Sequence, residues 1–524
     1  MRSMNSFGGV STFLIVATLS PGAHGSDANT NTAKTITFAE HIAPLIHNNC
    51  TSCHRPGQSG PFPLITHKDV WKRARTIQRV INSRYMPPWQ PKKTDYAFAN
   101  ERRLSKQQIE IFNQWVKTGR PKGDMSKMPP MPRFPQSWYL GKPDMVVKMK
   151  GRFKVRATGP DVYRSFVLPL DLREDKWVRA VEVKPNAKSS MHHAIFFLDS
   201  TGVSRRMDGQ DGQTGFNGMG PITGALGGYV PGAVPLLLPN GLARKLPKGS
   251  DIVMQTHFHP SGKEEFEQAT VAFYFAKEPP KKKLVGIMLP PFFGRFAGID
   301  IPAGKSDYTV KEKFTLPVDA EGVTIGGHAH YICKAMKMTA KLPSGETNTL
   351  LHIDDWNLDW QGAYLFKDKV ALPKGTVLET TLIYDNSKDN PRNPNSPPKR
   401  IRWGRQSTDE MGNVTLLVVA ANPEEEDKLR SFVRNKLFRG FGDLFNRGIA
   451  GKRQVQKPAA KGGQKAGQMM QRFDKNRDGK LQKSEVPALL RNRLFSAFDR
   501  NNDGVLDRDE LVTIREKFGK GNRN

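Results

Sequence analysis

Six of the twelve histidines of this chain lie in three tight pairs, and these pairs restrict the folds that the chain can adopt. Imidazole binds copper in either oxidation state, whereas a thioether prefers Cu(I). Donors this far apart in sequence can meet only if several strand-like segments converge. The pattern therefore predicts two copper sites that cycle between redox states. The pairs and the methionine that follows them are His192 and His193, His257 and His259, His328 and His330, and Met411.

The spacing within each pair decides how it can bind a metal. Residues i and i+2 of a strand share one face, so each of the two H-x-H pairs can bind one ion without backbone distortion. His192 and His193 are adjacent, and they can share an ion only across a β-bulge or with one imidazole bound through Nδ1. A hydrogen-bonded structural histidine is the alternative for any single pair, but three pairs in a chain poor in histidine favour metal binding.

The N-terminal residues 1–25 are typical of an export signal. Arg2 precedes an apolar stretch at 10–19, and a small-x-small site ends at Gly25, before Ser26. We therefore expect a periplasmic or secreted protein, and a retained N-terminal anchor is the alternative. No later segment has about 18 uninterrupted apolar residues, so we do not expect an integral membrane protein.

Charge and cysteine usage limit the partners. With a formal net charge of +31, an exported chain is expected to meet an anionic envelope component or an acidic substrate, or simply to have a solvated basic surface. No stretch interleaves basic and aromatic residues, so no nucleic acid is expected. The three cysteines leave no disulfide framework. Cys333 is predicted to be a buried small side chain, with a role beside copper as the alternative.

The sequence Cys50-Thr51-Ser52-Cys53-His54 has the C-x-x-C-H spacing of c-type haem attachment. Both thiols must reach the two vinyl groups of one porphyrin, while the next residue directs an imidazole at the iron. A chance match, or a C-x-x-C zinc or redox pair, is the alternative. A zinc site lacks its second cysteine pair, and export favours haem.

The sixth haem ligand is predicted to be a methionine, which raises the potential relative to a second histidine. Met86 lies in a proline-braced turn between two helical stretches, and Met125, Met128 and Met131 are rivals in the connector that follows. Ser105 can cap the last of the helical stretches and Gly119 can end it. With its haem motif and apolar last helix, the segment resembles a class I cytochrome c.

The order HH…QTHFH…GHAH…STDEMGN resembles the copper type II, ascorbate-dependent monooxygenases, the family of peptidylglycine α-hydroxylating monooxygenase and dopamine β-monooxygenase. The resemblance covers roughly residues 140–423 and implies two jelly-roll sandwiches with one copper ion each. Gly326 and Thr415 stand where peptide-amidating members have an arginine and a tyrosine that hold the substrate carboxylate. The family's disulfides are also absent here.

The resemblance implies a role for each donor. His192, His193 and His257 would hold an electron-transfer copper. His328, His330 and Met411 would hold the oxygen-activating, catalytic copper, and His259 would be left over, either beside the ligands or in a structural role. The expected activity is hydroxylation of a C–H bond of a small-molecule or peptide-like substrate with O₂. Electrons would come from an external donor through the tethered haem. The alternatives are a non-catalytic haem and copper electron-transfer or copper-binding protein, and an oxidase that reduces O₂ without hydroxylation.

Two stretches near the C terminus match the EF-hand calcium loop, with oxygen donors and a glycine at the expected positions. Acidic surface turns are the alternative, but two matches in succession predict an EF-hand pair with two calcium sites. A permanently filled docking or structural role is expected. The predicted ligands are Asp474, Asn476, Asp478, Lys480 and Glu485 in the first loop, and Asp499, Asn501, Asp503, Val505 and Glu510 in the second, where Lys480 and Val505 offer backbone carbonyls.

Together these features predict a multidomain fold with an all-α cytochrome c, two all-β jelly-roll sandwiches and an all-α EF-hand pair. The expected bounds are 1–25 for the signal peptide, 35–135 for the cytochrome c domain, 138–290 and 291–423 for the two copper monooxygenase sandwiches, 424–468 for a basic helix and flexible linker, and 469–520 for the EF-hand pair.

Overall fold

The computed structural model describes residues 35–436, apart from 57, 59, 100, 135–137 and 233, together with residues 478, 480–485, 495, 499, 501, 503–507 and 510. The chain divides into two units, Met1–Asp443 and Leu444–Asn524. The predicted signal peptide and the predicted flexible linker lie outside the described residues. The first unit is mainly β, with several sheets and few helices.

The first described residues form a helical region, called the helical domain below, that belongs to the same compact unit as the sheets, so the expected separate all-α cytochrome c is not distinguished among the described residues. Helices α2 and α3 begin at capping boxes, in which Thr66 pairs with Asp69 and Ser105 with Gln108, so the predicted cap at Ser105 is present. The apolar faces bury a shared cluster that includes Trp115. The helices are α1 Ala43–Asn49, α2 His67–Asn82 and α3 Lys106–Lys117, with a π-helix at Phe38–Ile42 and a 3₁₀ helix at Met125–Lys127.

Residues 145–275 form two main antiparallel sheets, ordered β1-β11-β4-β8 and β6-β3-β9-β5-β7, and a β2-β10 pair. One apolar cluster takes side chains from both main sheets, including Phe166 and Phe273, so the sheets share one core. A short helix, α4, spans Val203–Met207. The strands are β1 Met145–Lys148, β2 Phe153–Val155, β3 Val162–Leu168, β4 Lys176–Lys184, β5 Met191–Asp199, β6 Phe216–Asn217, β7 Gly224–Tyr229, β8 Arg244–Leu246, β9 Asp251–Phe258, β10 Glu265–Glu267 and β11 Thr270–Phe275.

Residues 285–420 repeat this plan with sheets β12-β21-β15-β18 and β14-β19-β16-β17 and a β13-β20 pair. A second apolar cluster joins its two main sheets, and Cys333 is buried within it, as predicted. The strands are β12 Val285–Leu289, β13 Asp300–Ile301, β14 Tyr308–Thr315, β15 Ala320–Ala329, β16 Cys333–Lys341, β17 Thr347–Ile353, β18 Ala363–Leu372, β19 Val377–Tyr384, β20 Ile401–Arg402 and β21 Gly412–Ala420, with 3₁₀ helices at Pro291–Gly294, Leu358–Trp360 and Pro423–Glu425 and a helix at 426–436.

One strand and one set of aromatic contacts do not follow the expected domain bounds. Strand β12, assigned from sequence to the first sandwich, pairs with β21 and belongs to the second, because its apolar side chains complete that core. Within the expected cytochrome c domain, Phe98 bridges to Phe366 of β18, and the Trp89 ring lies 5.0 Å from that of Tyr364. These aromatic side chains attach the helical domain to the second sheet pair.

The described part of the second unit contains a short antiparallel ribbon rather than helix alone. Strands β22, Leu481–Gln482, and β23, Val505–Leu506, pair so that Leu481 faces Leu506, and both side chains are fully buried. Asp474 and Asn476 lie outside the described residues. Among the described residues of the whole chain, no helix is long and apolar enough to cross a membrane.

Candidate metal centre

The adjacent pair His192 and His193 meets His257 on neighbouring strands. In the β5–β9 register His193 faces His257, and a bulge lies between Met191 and His193. The bulge brings both adjacent imidazoles together, with Nδ1 of His192 3.0 Å from Nδ1 of His193. One ligand nitrogen from each of the three histidines lies within 4.8 Å of the others. The three side chains therefore lie close enough together to be ligands of one ion.

Carboxylates fix the outer nitrogens of two of these rings. Nε2 of His257 donates to Asp161 at 2.9 Å, and Nε2 of His192 lies 3.3 Å from an Asp359 oxygen. With Nε2 protonated, Nδ1 of His257 keeps its lone pair, and this buried atom has no hydrogen-bond partner among the described residues. An imidazole held by an outer carboxylate, with its inner nitrogen unpaired, is typical of a metal ligand.

The second H-x-H pair lies at the end of β15 beside β21. The ring centroids of His328 and His330 are 5.4 Å apart. His328 pairs with Asn413 and Ala329 with Gly412, so continuing the antiparallel register brings Met411 beside His330. Met411 is buried, with 8% of its surface exposed.

A buried carboxylate links this methionine to the histidine. Oε1 of Glu410 accepts hydrogen bonds from the backbone nitrogens of His330, at 2.7 Å, and Met411, at 2.8 Å. Burial raises the pKa of Glu410 to about 8 although these backbone donors lower it. The D-E-M motif therefore supplies the candidate ligand Met411 and also Glu410, whose side chain joins the segments of His330 and Met411. These two hydrogen bonds are called the bracket below.

The outer nitrogens of the second pair are also occupied. Nδ1 of His328 contacts Oε1 of Gln361, and Nδ1 of His330 lies 3.2 Å from the backbone oxygen of Asp409. In both rings Nε2 is then the nitrogen left to bind an ion. The two groups thus differ: the first offers Nδ1 of His192 and His257, and the second offers Nε2 atoms with a thioether.

The two groups lie next to each other. The ring centroids of His193, from the first sheet pair, and His328, from the second, are 6.4 Å apart. His259 lies at the edge, where its exposed ring contacts the other oxygen of Asp161 at 2.8 Å. Five imidazoles from two sandwiches therefore form one continuous cluster, with His259 outside it.

Burial keeps the imidazoles of His193, His328 and His330 neutral. Desolvation lowers the pKa of His328 to about 4 and that of His330 to about 3. Desolvation, with the neighbouring His257, lowers the pKa of His193 well below its usual value. The neutral form is the one that binds a metal, so these rings do not have to lose a proton near neutral pH.

The haem motif follows helix α1, with Cys50 as its C-cap. Nδ1 of His54 lies 3.0 Å from the backbone oxygen of Phe62, which leaves Nε2 for an iron ion. Gly60 packs against this ring, and a Cβ atom there would lie 2.8 Å from Nδ1 of His54 and from the Cys53 oxygen. The two free thiols and the oriented imidazole fit the chemistry of covalent haem attachment.

More than one methionine could serve as the sixth ligand of the haem iron. Met86 is partly buried, after helix α2. Met125 and Met128 pack against the apolar cluster that also contacts Cys50. Met86 therefore stays a prediction, with Met125, Met128 and Met131 as its rivals.

The second calcium loop has the hydrogen bonds of an EF hand. Asp499 accepts from the nitrogen of Gly504 at 3.0 Å, and Asn501 accepts from that of Asp503 at 3.0 Å. Gly504 has a φ of 78°, the left-handed conformation that favours glycine at the sixth loop position. In the first loop, Asp478 accepts from the nitrogen of Lys480 at 2.9 Å, and Glu485 is buried.

Comparisons with known proteins bear on the C-terminal unit alone. Residues 467–486 and 491–514 match the EF hand family model, which supports calcium binding by this unit. Among curated proteins, none matches the sequence significantly.

Solved structures match weakly. PNGF-II has 11% identity over 53% of this chain and 65% of its own, slightly under two thirds, with a TM-score of 0.23. Recombinant peptide:N-glycanase F has 13% identity over 53% of this chain and 96% of its own, at 0.24. The major capsid protein P2 of bacteriophage PM2 has 6% identity over 50% and 98%, at 0.21. Similarity at this level carries no inference.

Several residues of the site were not predicted from the sequence. Asp161, Asp359 and Gln361 orient imidazoles that lie 96, 167 and 33 residues away along the chain. The D-E-M segment could have pointed to Glu410 as a residue of the site. No local sequence pattern distinguishes Asp161, Asp359 or Gln361 from other polar residues of the chain.

Proposed function

We propose that this chain is an exported copper-dependent monooxygenase that hydroxylates a C–H bond with O₂. The hydrogen-bonding of His330 and Met411 to one buried carboxylate, Glu410, carries the proposal. These two hydrogen bonds support the proposal because they hold the segment of Met411 beside the H-x-H pair, so that the thioether and the imidazoles could bind one ion. The two sheet pairs agree in number with the two jelly-roll sandwiches that the family resemblance implies, which supports the proposal.

The donor sets differ in the chemistry they favour. His192, His193 and His257 would hold one copper ion, and His328, His330 and Met411 would hold the other. Bound copper supplies one-electron redox chemistry and the activation of O₂. A soft thioether favours the reduced ion, so Met411 marks the second set as the oxygen-activating one. The carboxylates Asp161 and Asp359 orient the rings of the first set.

The helical domain would be the electron entry point. Cys50, Cys53 and His54 would attach one haem c, with Met86 as the proposed sixth ligand, and an external one-electron donor would reduce it. The domain packs on the second sheet pair through Trp89 and Phe98, so a haem held by Cys50, Cys53 and His54 would be tethered to the copper sites at high effective concentration. The calcium-binding unit would serve docking or structure in the periplasm or outside the cell.

The non-catalytic alternatives explain less of the geometry. Copper storage or simple electron transfer has no need of a methionine bracketed to an H-x-H pair by a buried carboxylate. The substrate is proposed to be a small-molecule or peptide-like compound. With Gly326 and Thr415 at the two positions that hold a carboxylate in peptide-amidating enzymes, recognition of a peptidyl-glycine terminus is not proposed.

The test combines metal binding with oxygen transfer. The purified chain is expected to bind two copper ions and, as Cu(I), to bind carbon monoxide at the set containing Met411. With ¹⁸O₂ and a panel of aliphatic, benzylic and peptide-amide substrates, mass spectrometry should find ¹⁸O in a hydroxylated product. Met411→Ile should abolish product and leave the haem spectrum intact. Met338→Leu, a buried methionine of β16, is the matched control. Oxygen consumption without ¹⁸O in any product would indicate an oxidase instead.

A further inference from the structure

One short segment contacts both groups of histidines. Residues 357–361, here called the bridge segment, follow β17 and include the 3₁₀ helix Leu358–Trp360. Asp359 lies 3.3 Å from Nε2 of His192, and Gln361 contacts Nδ1 of His328. The segment therefore orients one imidazole in each proposed copper site.

The other side of the bridge segment contacts the helical domain. The Tyr85 ring meets the Trp360 ring edge-on, with centroids 5.3 Å apart and an interplanar angle of 64°. The Gln90 side chain clamps the segment: its Nε2 donates to the Trp360 oxygen at 2.7 Å, and its Oε1 accepts from the nitrogen of Asn357 at 2.6 Å. Tyr85 immediately precedes Met86, the proposed sixth haem ligand.

We propose that Trp360 is the electron-transfer contact between the helical domain and the histidine cluster. This inference rests on the proposed function. In each event one electron leaves ferrous iron and reduces one cupric ion, so iron becomes ferric and copper becomes cuprous, and no bond or proton changes. Electronic coupling falls steeply across gaps and is carried better by bonded and closely packed atoms. The ring contact from Tyr85, the backbone from Trp360 to Asp359 and the hydrogen bond to His192 form such a continuous route.

A second contact between the domains is a weaker route. Sγ of Cys53 lies 3.6 Å from the backbone oxygen of Gly232, and the preceding strand β7 pairs Tyr229 with Ala194, next to His193. This path runs through backbone atoms and has no hydrogen bond to an imidazole ring. Substitutions at Trp360 leave it intact, so it sets the rate that remains when the indole is removed.

The substitution Trp360→Leu is a clean probe. Nε1 of Trp360 has no hydrogen-bond partner among the described residues, and Gln90 bonds to the backbone oxygen of Trp360. Replacing the indole therefore removes an aromatic ring without removing a hydrogen bond. Trp360→Phe keeps a ring, and Trp71→Leu, which removes an exposed tryptophan of helix α2, is the matched control.

The experiment uses the full chain loaded with haem and Cu(II), without oxygen or substrate. A light pulse with deazaflavin reduces the haem, and its absorbance then reports the transfer of the electron to copper. Trp360→Leu should slow this transfer several-fold, whereas Trp360→Phe and Trp71→Leu should stay near the wild-type rate. The haem potential and the Cu(II) EPR spectrum, measured on each variant, should be unchanged.

The outcomes separate this inference from the proposed function. An unchanged transfer rate in Trp360→Leu overturns the route and leaves the proposed function standing. If the EPR spectrum of that variant changes, Tyr85→Leu decides, because Tyr85 meets the indole from the helical domain: a slowed transfer supports the route, and an unchanged rate overturns it. Absence of any haem-to-copper transfer in the wild-type chain overturns both the route and the proposed role of the haem.

Discussion

Oε1 of Glu410 lies 2.7 Å from the backbone nitrogen of His330, and the same oxygen accepts from Met411. Both donors belong to proposed copper ligands, and the carboxylate is fully buried. The bracket fixes the distance between two ligands that are far apart in sequence. A site organised in this way depends on a residue that does not itself bind the ion.

Replacing Glu410 with alanine should reduce copper binding from two ions to one. The change leaves the buried nitrogens of His330 and Met411 unpaired, which costs about 1–3 kcal/mol each. Copper per chain after dialysis, and the urea midpoint of unfolding, measure the two effects. Glu410→Gln keeps one acceptor oxygen and should retain most of the binding. The exposed Glu424→Ala is the control, and two tightly bound ions in Glu410→Ala would contradict the bracket.

Replacing Asp161 with alanine should weaken copper at the first histidine set by about 10–100-fold, because an outer carboxylate fixes ring and tautomer. Competition with a Cu(I) chelator measures the affinity. His259→Ala removes a second imidazole partner of Asp161, and because the ring of His259 is exposed, this change should leave the affinity near wild type. Equal losses in both variants would mean that His259 is a ligand, contrary to the assignment made here.

The proposed ligands could be predicted because few side chains bind copper and because strand geometry limits their spacing. His328 and His330 share a face as expected, and the adjacent pair is accommodated by a bulge. Their partners could not be predicted. Asp161 reaches His257 across 96 residues, and nothing in a local pattern distinguishes it from a surface carboxylate.

The predictions about the fold divide in the same way, into local features that were predicted and long-range contacts that were not. Capping residues such as Ser105 and the turn glycine Gly504 follow local rules, and they were predicted correctly. Strand β12 and the aromatic residues Trp89 and Phe98 were assigned to the wrong neighbours, because an apolar side chain does not specify which core it enters. The contact between the bridge segment and Tyr85 depends on the packing of domains and had no sequence signal.

The contribution of Glu267 to the stability of the chain should fall as the pH rises from about 5 to about 7, whereas buried histidines with a lowered pKa, such as His328 and His330, act in the opposite direction. Burial raises the pKa of Glu267 to about 7, above the usual 4.5, although the nitrogens of Asn186 and Ala187 donate to it. The unfolded chain releases this proton first, so the folded state loses up to about 3 kcal/mol across that window. Urea unfolding of the wild type and of Glu267→Gln, each at pH 5 and pH 8, measures this contribution.

Glu267→Gln isolates this contribution. The neutral amide mimics the protonated acid, so between the two pH values the wild type should lose up to about 3 kcal/mol of stability relative to the variant. The exposed Glu264→Gln should keep the wild-type slope. If the two variants behave alike, Glu267 ionises normally in the folded chain.

Replacing Glu510 with glutamine should remove one of two calcium sites in the second unit. Glu510 is the twelfth residue of the second loop, where a bidentate carboxylate completes the coordination. Isothermal titration of the calcium-free chain should give two sites for the wild type and one for the variant. Because β22 and β23 pair residues of the two loops, the remaining site should also weaken. Asp507→Asn, at the ninth loop position, should have the milder effect, since that position often binds through water. Two unchanged sites in Glu510→Gln would exclude this residue as a ligand.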